Sequence, residues 1–363
     1  MIYLDHHAAT PLASAAATAM EEAREIAFAN PSSIHAAGRA SRALLENARE
    51  GVAAALGAQA ADVIWTSGGT EACNLGIWGL SFRRIVTSEV EHSAVSAAAR
   101  EAGVPVERIP AAALREGAFA DFLDEGTLLA TQWVNHETGS IWPVQQMAAA
   151  CESVGARLFL DATQALGRVP IDVTLLGADC VAVASHKVGG PSGSGALWVR
   201  RDVELSSVFH GGGQERGRRA GSPGVEAIVG FGAACREIES RLTEMPRVAA
   251  WRDQIEACLM QLGAKVNGAE GPRVASATNC SLAGWESPVL VAALDMEGLC
   301  ASAGSACSSG TPEPSAVVAA LYADNMDRAR SALRLSLGPE GLSDEAIHAA
   351  CAILERVIPR VRA

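Results

Sequence analysis

Lysine is nearly absent from this chain. Of 29 lysines and arginines together, only Lys187 and Lys265 are lysines, so arginine serves almost wherever positive charge alone is needed. Long apolar runs are missing too. No stretch approaches the ~18 residues of a membrane-crossing helix. The opening MIYLDHHAATPLAS has neither the basic nor the apolar region of a secretory signal. A soluble, cytoplasmic protein with no membrane contact is expected. Positive charge is scarce overall: the formal net charge is −12, which argues against direct nucleic-acid binding through a basic face. Paired cysteine spacing is lacking as well. The nine cysteines, at 73, 151, 180, 235, 258, 280, 300, 307 and 351, contain no Cys-x-x-Cys. Neither a zinc site nor a redox dithiol is expected, and most read as buried thiols acting as small hydrophobes.

What is present is a large core. The chain has 363 residues, 49% of them hydrophobic, without low-complexity tracts; one large domain plus a smaller one suits that length. From about 50 to 200, short β-rich runs alternate with Ala-rich helical stretches. The strands are expected at Val63–Trp65, Arg84–Thr87, Leu128–Val134, Arg157–Leu160, Cys180–Ala184 and Ala196–Val199, with helices such as Ser93–Ala102 and Val144–Val154 between them. Continuous apolar strands separated by helices imply an α/β fold with a mostly parallel sheet covered on both faces. Residues 225 to 262 read as helical after the Gly-rich loop HGGGQERGRRAGS. A smaller α+β unit follows, with strands at Thr278–Leu282 and Arg330–Leu337. The expected division is 15–250 for the large domain, and 1–14 with 251–363 for the small one.

Ligands of such sheets bind beyond the carboxyl ends of the strands. After Trp65 comes TSGGTEACN, a Gly-rich turn into a helix that offers backbone N–H groups to a phosphate. Alone it is as often a plain connector. After Leu160 comes Asp161-Ala-Thr-Gln164; an Asp there is more often a helix cap than a catalytic acid. After Ala184 come Ser185, His186 and Lys187. Together the three are more specific. A lysine amine condenses with the aldehyde of pyridoxal phosphate, and a carboxylate keeps the pyridine nitrogen protonated so that the ring can draw electrons.

Taken in order, YLDHHAATP (3–11), NPSSIHAAG (30–38), TSGGTEACN (66–74), EVEHSAV (89–95), NHETG (135–139), DATQALG (161–167), SHKVGGPSGSGAL (185–197), AGSACSSGTPEPS (303–315) and LRLSLG (333–338) carry a further reading. The chain resembles the cysteine desulfurases of the NifS/IscS type, fold-type I pyridoxal-phosphate enzymes of the class V aminotransferase family. The resemblance implies a large domain built on a mostly parallel seven-stranded sheet. It implies Lys187 as the lysine that carries the cofactor, Asp161 as partner of the pyridine nitrogen and Gln164 as partner of the phenolic oxygen. His92 matches the histidine stacked on the ring, which also moves protons, and Gly69, Thr70 and His186 match phosphate ligands. Ser222 stands where a threonine usually reaches the neighbouring subunit's phosphate, which implies a homodimer. Arg334 matches the receptor of the substrate carboxylate, whose bland alternative is an ion pair at a strand end; Asn30 is a further substrate contact.

Cys307, among small residues in a loop of about 300–312, is the expected mobile nucleophile that takes sulfur from L-cysteine as a persulfide and hands it to an iron–sulfur scaffold or another acceptor protein. Cys300 is expected to face the core. Two residues depart from the family pattern. His136 replaces an asparagine near the cofactor oxygen and substrate. Ala184 removes a phosphate hydroxyl that Ser185 is expected to supply. The alternatives are a selenocysteine lyase, another enzyme of the same family, or a sulfur-relay protein without catalysis of its own.

Overall fold

The computed structural model describes residues 1–304 and 313–361. The chain begins with β1 (Ile2–Tyr3), followed by helices Ser14–Ala23 and Ala36–Leu56. Seven strands then build the main sheet: β2 (Val63–Thr66), β3 (Arg84–Ser88), β4 (Val106–Ile109), β5 (Thr127–Gln132), β6 (Arg157–Asp161), β7 (Cys180–Ala184) and β8 (Gly195–Val199). Their spatial order is β2-β8-β7-β6-β5-β3-β4. All neighbours run parallel except β8, which is antiparallel to both β2 and β7.

The central strands are buried almost throughout, Arg157 at the start of β6 being half-exposed, because both faces are covered. Leu158 and Leu160 pack into one core with Leu129, Val183 and Phe231, while Phe159 points the other way into a core with Leu75, Ile85 and Leu197. That alternation is the period of two expected of a strand. Helix Gly69–Gly79 lies so close over the second face that a Cβ on Gly76 would stand 2.4 Å from the Phe159 ring. Only glycine fits there.

A second core gathers around β10 (Ala277–Ser281), which pairs antiparallel with β9 (Lys265–Val266) and β12 (Ala332–Ser336). Helices Met245–Gln261, Ser287–Met296 and Asp344–Val357 supply its apolar faces. Met245 and Val248 already pack in this core, so the division expected at 250 falls inside a helix. β11 (Leu299–Cys300) pairs in parallel with β1. Here one expectation is corrected: Leu299 is fully buried, but the strand's alternation turns Cys300 to a half-buried position rather than into the core.

The N-terminal segment spans both units. Leu4 is in the second core, whereas Thr10 donates through N and Oγ1 to the His186 carbonyl, at 2.9 and 3.0 Å. No helix among the described residues is long and apolar enough to cross a membrane.

Candidate active site

β7 ends in a tight 3-10 turn, Ser185–Lys187, held from outside by Thr10, whose hydroxyl also accepts from Gly189 N at 2.7 Å. The turn aims Lys187 across the ends of the neighbouring strands. Its Nζ donates to the carbonyls of His7 (2.5 Å) and Ala8 (2.9 Å). Next to it β6 ends on Asp161, 6% exposed, whose Oδ1 accepts from Thr163 N at 2.9 Å. Gln164 donates from Nε2 to the His7 carbonyl at 2.9 Å, leaving Oε1 buried with no hydrogen-bond partner among the described residues.

These groups surround a cavity of about 390 Å³ that also includes Gly69, Thr70, His92, His136, Ala184 and His186. The Ser67–Thr70 turn forms its far wall. A Cβ on Gly195 of β8 would lie 2.6 Å from the Gly68 carbonyl carbon, so the turn sits directly on the sheet. Glu71 accepts from Ser67 N at 2.8 Å and is held by Arg219 at 2.7 and 3.1 Å. The Gly69–Gly79 helix starts on this turn with no side chain capping its first N–H groups. Such an end, with Lys187, Asp161 and the orphaned Gln164 oxygen around the same space, fits a phosphorylated cationic heterocycle.

Two of the three cavity histidines, His92 and His136, have readable tautomers. His92 caps helix Ser93–Arg100, its Nδ1 accepting from Ala94 N at 3.1 Å, so a neutral ring carries its proton on Nε2. For His136 the cue is Gln132. That amide donates from Nε2 to the Val90 carbonyl at 2.5 Å, which leaves Oε1 facing His136 Nδ1 at 3.1 Å. Nδ1 therefore carries the proton and Nε2 the lone pair. Burial holds the His136 pKa well below the ordinary value, helped by His92, Arg334 and Lys187. The two rings meet edge to face, with centroids 5.0 Å apart. Burial, with Lys187 and Arg168, lowers His186 to about 4.

Gln132, Thr163 and Cys73 line the cavity and had not been singled out. Burial and the adjacent Asp161 push the Cys73 thiol up strongly. β5 ends on Gln132, whereas the strand expected from the sequence runs on to Val134 and so hides that end. Glu91 was also missed. Its carboxylate, 9% exposed, accepts from Ser88 Oγ, Thr131 Oγ1 and Gln132 N at 2.5, 2.8 and 2.8 Å.

Other expected residues lie elsewhere. Ser185 Oγ is buried against Gly190, where an added Cβ would stand 2.1 Å away, and the residue is not part of the cavity lining. Asn30 is exposed and accepts from Ser32 N at 2.9 Å, and Ser222 is exposed. Neither reaches this cavity within one chain. Arg334 lies behind His136, paired with Asp5. Cys307 falls outside the described residues.

Comparison with known proteins agrees with this geometry. The family model for class-V aminotransferases matches residues 2–345. An IscS-like cysteine desulfurase from Mycobacterium tuberculosis is 38% identical, over 100% of this chain and 97% of that protein. A solved NifS-like protein superposes with a TM-score of 0.89 at 26% identity, covering 99% of both chains. Another structure, SspA in complex with cysteine, superposes at 0.80 with 26% identity, over 94% of this chain and 100% of that one. By sequence match along its whole length and by fold, the chain belongs to the class-V aminotransferase family, among the cysteine desulfurases of the IscS/NifS type.

Proposed function

We propose that this enzyme is a pyridoxal-phosphate-dependent cysteine desulfurase that takes sulfur from L-cysteine onto Cys307 and releases L-alanine. The observation that carries the reading is the convergence of Lys187, Asp161, His92 and the Ser67–Thr70 turn on one cavity at the carboxyl ends of the parallel strands. In this reading the turn with Thr70 and His186 holds the phosphate, Asp161 the pyridine nitrogen and His92 the ring face. Gln164 and His136 lie at the oxygen side. When bound, the cofactor supplies an aldehyde that amines condense with and a ring that draws electrons from the substrate.

The chain's own residues do the rest. Lys187 would hold the cofactor through its aldehyde and, with its amine free, would move protons at the substrate α-carbon. His92, whose Nε2 carries a proton, donates a hydrogen bond where negative charge develops. Arg334 receives the substrate carboxylate. The Cys307 thiolate attacks the substrate sulfur: an S–S bond forms, the carbon–sulfur bond breaks, and its electron pair stays with the carbon skeleton, which is protonated to alanine. The persulfide sulfur then passes to a thiol-bearing acceptor protein, with an iron–sulfur scaffold as the leading candidate. A homodimer would bring Ser222 of one copy to the site of the other.

Lys187→Ala tests the centre of this reading. Borohydride treatment of the wild-type holoenzyme should fix the cofactor's mass on the Lys187 peptide, and the variant should show neither that mass nor alanine release. A variant turning over cysteine at the wild-type rate would overturn it. Lys265→Ala, on exposed β9, is the control that keeps full activity.

A further inference from the structure

Arg334 does not open onto the cavity. It is 2% exposed on β12, its Nη1 donating to the His136 carbonyl at 3.1 Å. Nη2 donates to Asp5 Oδ1 at 2.8 Å, and Nε is buried with no hydrogen-bond partner among the described residues. A carboxylate thus already sits on the guanidinium fork. Asp5 already occupies an N–H of Nη2 and places a negative charge at the fork, so a second carboxylate arriving from the cavity meets like-charge repulsion unless Asp5 moves away.

Asp5 is built to let go. Its side chain is 17% exposed against 2% for Arg334, so it reaches water where the arginine does not. Its other oxygen, Oδ2, accepts from Ser302 Oγ at 3.1 Å. Ser302 is itself clamped to Arg334 by a pair of backbone hydrogen bonds, at 3.1 and 2.8 Å, so it stays in place whether or not the ion pair holds. Released from Arg334, the Asp5 carboxylate keeps a hydroxyl partner and solvent. The guanidinium cannot be left alone in the same way, because an unpaired buried charge is strongly destabilising. Exchanging one carboxylate for another avoids that penalty.

We propose that Asp5 is a built-in competitor for Arg334, holding the guanidinium until the α-carboxylate of the amino-acid substrate displaces it. The inference rests on Arg334 being the carboxylate receptor. It adds a selection step: an amine without a carboxylate cannot make the exchange, however well its other groups fit. Apparent affinity falls in proportion to the fraction of molecules free to bind, so a competitor in place in about nine molecules of ten weakens binding about tenfold.

The test uses the holoenzyme and L-alanine, the product, as a probe of carboxylate binding that has no sulfur to release. Asp5→Asn is expected to lower the Kd for L-alanine and the KM for L-cysteine by about tenfold, with kcat within roughly twofold of wild type. In a crystal of the wild-type holoenzyme with L-alanine, Asp5 Oδ1 should stand beyond hydrogen-bond distance from Arg334 Nη2. A folded Asp5→Asn enzyme whose Kd and KM stay unchanged or rise would overturn the proposal. So would an alanine complex in which the Asp5–Arg334 pair remains intact. Arg334→Gln separates the two layers. If it leaves alanine binding unchanged, the carboxylate reading and the competitor fall together. If it weakens binding while Asp5→Asn does not tighten it, only the competitor falls. Should Asp5→Asn fail to fold, the wild-type crystal decides.

Discussion

Ala184 and Ser185 stand side by side at the end of β7, and only the alanine faces the cavity. Its Cβ lies 3.3 Å from the position a Cβ on Gly69 would take, against the turn assigned to the phosphate. Ser185 turns its hydroxyl to Gly190 and cannot compensate. Ala184→Ser should therefore add one hydrogen bond to a charged group and tighten cofactor binding by roughly 1–3 kcal/mol at most. Equilibrium dialysis of the two proteins measures it; weaker binding would mean that the turn cannot accommodate the extra oxygen. At this scale the residues legible in the sequence were those whose neighbours in the chain explain them. Asp161 ends β6 and Lys187 lies in the turn just after β7, at the carboxyl ends of parallel strands, where ligands bind. The partner of Arg334 was not legible, because Asp5 is 329 positions away and nothing local marks it. Ser185 misled for a related reason: the direction of a hydroxyl in a tight turn depends on Gly190, which comes back against it only in the fold.

Between elements, Glu91 does for the sheet what a single buried carboxylate seldom can. It joins the end of β3, through Ser88, to the end of β5, through Thr131 and Gln132, and so sets the spacing between His92 and the Gln132–His136 pair. Burial raises its pKa to about 7, against the lowering from its three hydrogen bonds. The sign follows. A folded-state pKa above the unfolded value means that the native state holds the extra proton more tightly. Stability from this group is then fully present below about 4.5 and is lost as pH rises through about 7. Glu91→Gln keeps the shape, with its Nε2 replacing Oε1 and the Ser88 and Thr131 hydroxyls turning to accept. The variant should lose this slope and, relative to wild type, gain up to roughly 3 kcal/mol between pH 5 and 8. Denaturant melts of both proteins across that range give the difference; parallel curves would count against the buried charge. The strands that Glu91 joins were readable as continuous apolar runs. β4 was not, since Val106-Glu-Arg-Ile109 is an edge strand with its two central residues exposed. Its pairing to β3 comes from position, not composition.

For the molecule as a whole, the decisive question is which of nine thiols takes the sulfur. Seven have pKa values pushed up, and for Cys73, Cys151, Cys180, Cys235 and Cys280 the leading cause is burial. Cys258 is raised first by its contact with Cys351, then by burial. Cys300 is raised by its partial burial and by Asp295 and Asp5, so it is a poor thiolate even though it stands close in sequence to Cys307. Cys351 is lowered by its contact with Cys258 and makes the better competitor, but it lies on the Asp344–Val357 helix of the second core and not on the cavity wall. Cys307 is marked in the sequence by its run of small residues from Ala303 to Gly310. Brief exposure of the wild-type holoenzyme to L-cysteine, followed by mass spectrometry, should show one added sulfur on the Cys307 peptide. Cys307→Ser should still bind cofactor and cysteine, because Lys187, Asp161 and Arg334 are untouched, yet release no alanine: a hydroxyl at neutral pH is a far weaker nucleophile than a thiolate. Sulfur found on Cys300 or Cys351, or a serine variant with full activity, would sink the assignment. Selenocysteine adds one more arm. Selenium leaves carbon more readily than sulfur, so a serine variant active on selenocysteine but not on cysteine would show that the attacking thiolate is needed for the carbon–sulfur bond alone.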